Sequence, residues 1–342
     1  MSRGWIASPS FDLAFFILVP LVTAPIAVAP LLAGRVNVVG LSLAAFLLAT
    51  AHYVSTFAFY VWDENHAYHR ARWLAFFGGP LLLTAAYATT VALGASLVIF
   101  CALFLWNTYH VSRQSCGVLS LYRHGAGVGD TRQKAAANLA IIATNLWFAL
   151  WNIETFTEIA PVLDALGPAA VRAIRLGCGG VACAALLRLG VALWQRTLAG
   201  QAPRGPELGV LATGLLLFHP YLWFPDTMAA TFAMLAPHYV QYLGLLWLLH
   251  RRKFPVAAGS TAQRVLCRLS ANTVLLCVVL LAASLPFLLG RGAMGRLGWS
   301  YQFSMLYILL ALLHFYLDSL FWAFKQPHVR ATIAPYLRPA RS

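Results

Sequence analysis

Uninterrupted apolar runs of about twenty residues succeed one another along the chain, and that feature removes most folds open to it. The stretch from Phe11 to Ala33, wound as a helix, is long enough to cross the ~30 Å hydrocarbon layer of a bilayer. Inside lipid every backbone N–H and C=O must be paired within the protein, which leaves helices or a closed barrel. The runs of Leu, Ala, Val and Phe lack the period-two alternation of barrel strands. The expected fold is therefore all-α, a polytopic integral membrane helical bundle. Composition agrees: 61% of residues are hydrophobic and 10% charged, against ~25% charged in soluble domains.

Ten spans are expected, at about 11–33, 39–62, 73–93, 95–121, 136–157, 170–196, 207–224, 227–249, 266–289 and 297–324. The first is too long for the core of a cleaved signal peptide and carries Asp12 at its front, so it reads as a retained span. The polar stretches Arg123–Lys134, Gln201–Glu207 and Arg251–Arg264 are short loops, and a single transmembrane domain over residues 1–342 is expected. The six cysteines are scattered without a CxxC pair, which indicates neither a disulfide framework nor a zinc knot.

The net charge of +14 could suggest nucleic acid, but its distribution argues for topology. The even-numbered spans end at segments holding Arg70, Arg72, Arg123, Arg132, Lys134, Arg196, Arg204, Arg251, Arg252, Lys253, Arg264 and Arg268. With Arg3 and the tail's Lys325, Arg330, Arg338 and Arg341, that side collects about seventeen cations; the other has about five, Arg35, Arg172, Arg175, Arg291 and Arg296. This is the positive-inside pattern. It places both termini in the cytoplasm, puts the protein in a bacterial inner membrane, and leaves nucleic acid with nothing to explain.

Four of the ten histidines fall inside spans: His52, His110, His238 and His314. Ionisable groups at membrane depth are costly and point to function. Counted to the cytoplasmic end of their spans, the four lie about 10 or 11 residues in, ~15–17 Å, close to mid-membrane. Unrelated core histidines have no reason to share a level. Each also has a polar residue four positions on, on the same helix face: Thr56, Gln114, Tyr242 and Asp318. Such groups orient imidazoles as the outer partners of metal ligands do. Arg113 reads as a buried cation beside His110, with Asp318 as its counter-charge.

Four neutral imidazoles at one level suit a transition metal. With no thiolate and at most one carboxylate, Fe(II) ranks first, copper next, and haem remains open because equal-depth histidine pairs can ligate it axially. The metal ligands are expected to be His52, His110, His238 and His314. Thr56, Gln241 and Tyr242 would bind around the cofactor, and Asp318, Arg113 and Gln114 would take catalytic roles. Trp106, Tyr109, Trp247, Phe315 and Tyr316 would admit a lipophilic substrate, a membrane lipid or similar small molecule, together with dioxygen.

Other readings stay open. The histidines also fit interhelical hydrogen bonding, or a proton- or ion-coupled transporter in which Pro237 and Gly79-Pro80 mark broken helices. Asp63-Glu64-Asn65-His66-Ala67-Tyr68-His69 could hold a metal but is expected first to be a solvated interfacial loop, His124, His250 and His328 to be ordinary cytoplasmic-side residues, and His219 to be an interfacial or helix-capping residue. A short echo, His52-Tyr53-Val54 and His238-Tyr239-Val240, falls on two spans running in the same direction.

The stretches Trp106–Gln114, His238–Tyr242 and His314–Asp318 resemble those of a widespread group of bacterial polytopic proteins with no secure function. In architecture and in its four intramembrane histidines the chain also resembles the Brp/Blh membrane β-carotene 15,15'-dioxygenases. That resemblance implies iron held by His52, His110, His238 and His314, and oxidative attack on an apolar polyene or similar lipid. The histidine boxes of membrane desaturases are missing, since His66 and His69 are the only close pair.

Overall fold

Leu, Ala and Val dominate the chain between polar punctuation marks, and in the computed structural model those stretches are helices, with no strand among the described residues. Described are residues 4–18, 21, 38–125, 131–225, 227–255 and 259–337. The rest of the expected first span and the cations Arg3, Arg35, Arg338 and Arg341 lie outside them. In chain order the helices are α1 (Pro9–Asp12, continued by a π-helical segment, Leu13–Leu18), α2 (Val38–Thr56), α3 (Asp63–Ala71), α4 (Gly79–Ala92), α5 (Ser96–Gly125), α6 (Thr131–Ala149) and α7 (Ala160–Leu198). They continue with α8 (Gly205–Leu216), α9 (Pro220–Trp223), α10 (Thr227–Lys253), α11 (Thr261–Ala271), α12 (Thr273–Arg296), α13 (Ser300–Phe321) and α14 (Pro327–Leu337).

Five of the described helical stretches are long and apolar enough to cross a membrane: Leu74–Ala92, Thr157–Leu198, Ala229–Lys253, Val274–Arg296 and Ser300–Phe321. They coincide with the expected third, sixth, eighth, ninth and tenth spans. α5 is long enough but carries Asn107, Thr108, His110, Ser112, Arg113, Gln114 and Ser115 along its middle, which lowers its hydropathy. The expected seventh span is divided into α8 and α9 at Pro220, whose nitrogen has no proton to donate. His219 closes α8, its Nδ1 2.5 Å from the Leu216 carbonyl.

Two local expectations are corrected. Residues 63–71 form helix α3 rather than a loop, with Asp63 and Glu64 in the first turn and His69 and Arg70 in the last, where each sign suits the helix dipole. The expected ninth span begins later, because α11 ends at Asn272. That residue's side chain accepts a hydrogen bond from Leu275 N–H and caps α12.

The chain divides into two compact units. The first comprises Met1–Val38, Phe104–Gln241 and Arg338–Ser342; the second comprises Val39–Leu103 and Tyr242–Leu337. In the first, α6 packs along α7. Gly179, Ala182 and Ala185 form the buried small-residue stripe of α7, and a β-carbon at Gly179 would press on the Trp147 indole. Val111, Phe148, Leu217, Phe218 and Met234 fill its apolar core. Asp12 is buried and accepts hydrogen bonds from Ile6 N–H, Ala7 N–H and the Tyr122 hydroxyl.

Charge placement in this unit departs from the topology reading. Arg123 and Arg196 do not face lipid. Both are buried, and Arg196 grips both oxygens of buried Glu207 while Arg123 bonds Gln133 and lies 3.6 Å from Glu207. A buried arginine is tolerated only with such partners.

In the second unit, α4 packs on α13 at Gly79, where a β-carbon would overlap the Tyr316 hydroxyl and ring. Pro80 has no N–H for the preceding turn, and two tyrosines supply protons there instead. Tyr316 donates to the Ala75 carbonyl and Tyr60 to that of Phe76. Gly79 thus lets the two helices pack closely, and the carbonyls of Ala75 and Phe76 are satisfied by the tyrosines.

Candidate metal-ligating histidines

In the second unit, α2 and α13 bring His52 and His314 together. Both side chains are fully buried, their ring centroids are 4.2 Å apart with planes at 64°, and each offers a ring nitrogen within 4.8 Å of the other's. Two imidazoles on one ion, at ~2.1 Å each, place their nitrogens up to ~4.2 Å apart, so this pair needs little adjustment to share a metal.

One turn further along each helix lie Thr56 and Asp318, as the i+4 spacing predicts. Thr56 does not serve its own helix's histidine. Its Oγ1 is 2.6 Å from Nδ1 of His314, 3.1 Å from the Tyr242 hydroxyl and 3.3 Å from Asp318 Oδ1. Tyr242 donates to the same carboxylate oxygen at 2.9 Å. A threonine hydroxyl has one proton to give. When it gives that proton to Asp318, its lone pair accepts Nδ1–H of His314, and the Nε2 lone pair of His314 is left for a metal. Asp318 Oδ2 stands 3.7 Å from that Nε2. Aromatic rings close the surroundings: Tyr242 meets His52 edge-on at 4.3 Å, and Tyr53 lies 5.2 Å from His314.

In the first unit, α5 and α10 bring a second pair together. His110 and His238 are buried, with ring centroids 5.4 Å apart and planes nearly perpendicular. Gln114, one turn beyond His110, donates its amide to the His238 carbonyl and to Gln241 Oε1, each at 3.1 Å. It therefore holds the backbone that carries His238. Asn145 of α6 donates to Ser112 Oγ of α5 and to the Gly214 carbonyl of α8, fixing the level of α5 against its neighbours.

The sequence-named residues thus fall into two sets, His52, Thr56, Tyr242, His314 and Asp318 in one unit, and His110, Gln114, His238 and Gln241 in the other. Arg113 belongs to neither. Its side chain is exposed, and the partners of Asp318 are Thr56 and Tyr242. Its place in the sequence implied burial, but Arg113 is exposed although it lies only three residues from buried His110 on the same helix. Tyr109 is likewise exposed, so it does not line a buried site. The partnership of Thr56 with a histidine of another helix has no signal in the sequence beyond a hydroxyl at the right turn. His250 is also more than a surface residue, being buried with its Nε2 accepting the Trp62 indole N–H at 3.2 Å.

Compared with protein-family models, curated proteins and solved structures, the chain matches none.

Proposed function

We propose that the protein is a membrane-embedded metalloenzyme, an oxidoreductase acting on a lipophilic substrate. Its transition metal, iron first and copper next, takes its ligands from His52, His110, His238 and His314. The observation that carries this reading is the fully buried His52–His314 pair, its ring nitrogens within reach of one ion. The common depth expected for the four histidines along the spans read from the sequence extends the reading to His110 and His238. Five apolar helices long enough to cross a bilayer support the membrane setting, with ten spans and cytoplasmic termini following from the charge pattern.

The donor set fits such a metal: buried imidazoles, with one carboxylate and, among the described residues, no thiolate grouped with them. When bound, the metal would supply one-electron and dioxygen chemistry. The chain's own residues do the positioning. Thr56 and Asp318 set the tautomer and orientation of His314, Tyr242 holds Asp318 in place, and Gln114 steadies the His238 backbone. The resemblance to the Brp/Blh dioxygenases makes an apolar polyene the first substrate to try.

The test is elemental analysis with an absorption spectrum on detergent-purified protein, wild type beside His314→Ala and His238→Ala. About one iron or copper per chain, lost in both variants and without a haem Soret band, supports the four-histidine reading. A Soret band replaces it with haem. No metal after chelator-free purification and attempted reloading overturns it, leaving Tyr242, Asp318, Thr56 and His314 as a hydrogen-bonded chain for proton movement.

A further inference from the structure

In the second unit, an open cleft of about 350 Å³ lies against α3 and the π-helical segment Leu74–Gly78. Tyr60, His66, His69, Arg70 and Phe77 line it. Its walls are pinned. His66 Nε2 bonds the Tyr60 carbonyl at 3.0 Å, and the Tyr60 hydroxyl donates to the Phe76 carbonyl at 2.6 Å. His69 is only 3% exposed, and its ring nitrogens make no hydrogen bond among the described residues, although it lines both this cleft and a water-sized cavity beside Asn65 and His328. Its nitrogens open onto these spaces, where water or a ligand can bond them.

Arg70 contributes a fixed positive charge. Its Nε reaches back to the His66 carbonyl at 3.4 Å, and its two terminal nitrogens have no hydrogen-bonded partner among the described residues. Among the described residues no carboxylate lines the cleft. The Tyr60 hydroxyl proton and the His66 Nε2 proton are spent on carbonyls, so an anion in the cleft would meet the Arg70 guanidinium and a ring N–H of His69. The opposite wall is apolar, and Leu74, Phe77 and Leu81 are all exposed along the chain that leads into α4. α3 follows the second expected span and lies on the basic side, so the cleft falls at headgroup level, with that exposed apolar strip entering the hydrocarbon.

We infer that the cleft binds the phosphate of an anionic phospholipid, held by Arg70 and His69, with the start of an acyl chain along Phe77 and Leu81. The inference rests on the membrane reading and is independent of the metal, so the metal analysis and the lipid analysis fail separately.

The test exchanges the full-length protein into nanodiscs of phosphatidylcholine alone or with a minor fraction of phosphatidylglycerol, followed by native mass spectrometry of lipids that stay bound on ejection. Wild type is expected to keep phosphatidylglycerol in preference to phosphatidylcholine. Arg70→Gln should cut that preference about tenfold, equivalent to ~1.4 kcal/mol. His69→Phe should cut it as well, whereas Arg268→Gln, an exposed cation elsewhere in the unit, should not. Competition by inorganic phosphate, with Phe77→Ala inert, would keep the oxyanion site but make the free anion its ligand. Equal retention of both lipids without phosphate binding, or an undiminished preference in Arg70→Gln, overturns the assignment; because Arg70 is exposed, that variant is expected to fold.

Discussion

Thr56 Oγ1 sits 2.6 Å from His314 Nδ1, so a hydroxyl of one helix sets the imidazole of another, while His52, one turn back from Thr56, packs its ring against that same imidazole. Removing the hydroxyl should release His314 without emptying the space. Thr56→Val is expected to weaken metal affinity about 10- to 100-fold, the usual effect of losing a ligand's orienting partner, and Thr56→Ser to restore most of it. Metal titration of the apoprotein distinguishes the two, and equal affinity in all three proteins would remove Thr56 from the site.

Asp318 takes hydrogen bonds from Tyr242 and Thr56 on one oxygen and faces His314 with the other. Asp318→Asn keeps the shape and removes the charge. It should lower metal content and alter the ligand-field absorption of the bound metal, whereas a purely structural role would change thermal stability and leave the spectrum of any bound metal intact.

Glu207 is the counter-charge of buried Arg196 and lies against Arg123. Glu207→Ala leaves buried guanidinium charge without its carboxylate and should cost about 3–5 kcal/mol. Thermal melting in detergent, followed by size-exclusion chromatography, reads this. Adding Arg196→Met to Glu207→Leu should recover part of the loss, since an apolar pair of similar volume avoids the desolvation penalty.

Gly79 has no room for a methyl group beneath Tyr316. Gly79→Ala should destabilise the protein by about 1–3 kcal/mol through overpacking, and the double variant with Tyr316→Leu should be less affected. Additive losses in the double variant would show that the two positions do not share this contact.

Burial pushes the His69 imidazole down to about 4 from the usual 6.5, with the nearby His328 and His66 acting in the same direction. The unfolded chain then takes up the proton more readily than the folded one. The stability linked to this group is complete above about pH 6.5 and is lost as pH falls toward 4. Melting temperature should fall across that window more steeply in wild type than in His69→Phe, and parallel curves would show that His69 does not carry the effect.

Run length, punctuation and charge asymmetry are local properties of the chain, and they made the helices legible before any coordinates. The strong apolar stretches at 73–93, 170–196, 227–249, 266–289 and 297–324 all have counterparts among the five long apolar helices. The expectation that the four histidines share a level is also a counting argument, resting on where the spans were expected to end. The direction in which a side chain faces is set otherwise. Rotation of a helix about its axis depends on what packs against it, so tertiary structure alone turned Arg113 outward, buried Arg123 and Arg196 around Glu207, and handed Thr56 to His314 instead of His52. A hydrophobic run specifies that a segment enters lipid; the neighbours that each face meets are contributed by residues far away in the chain.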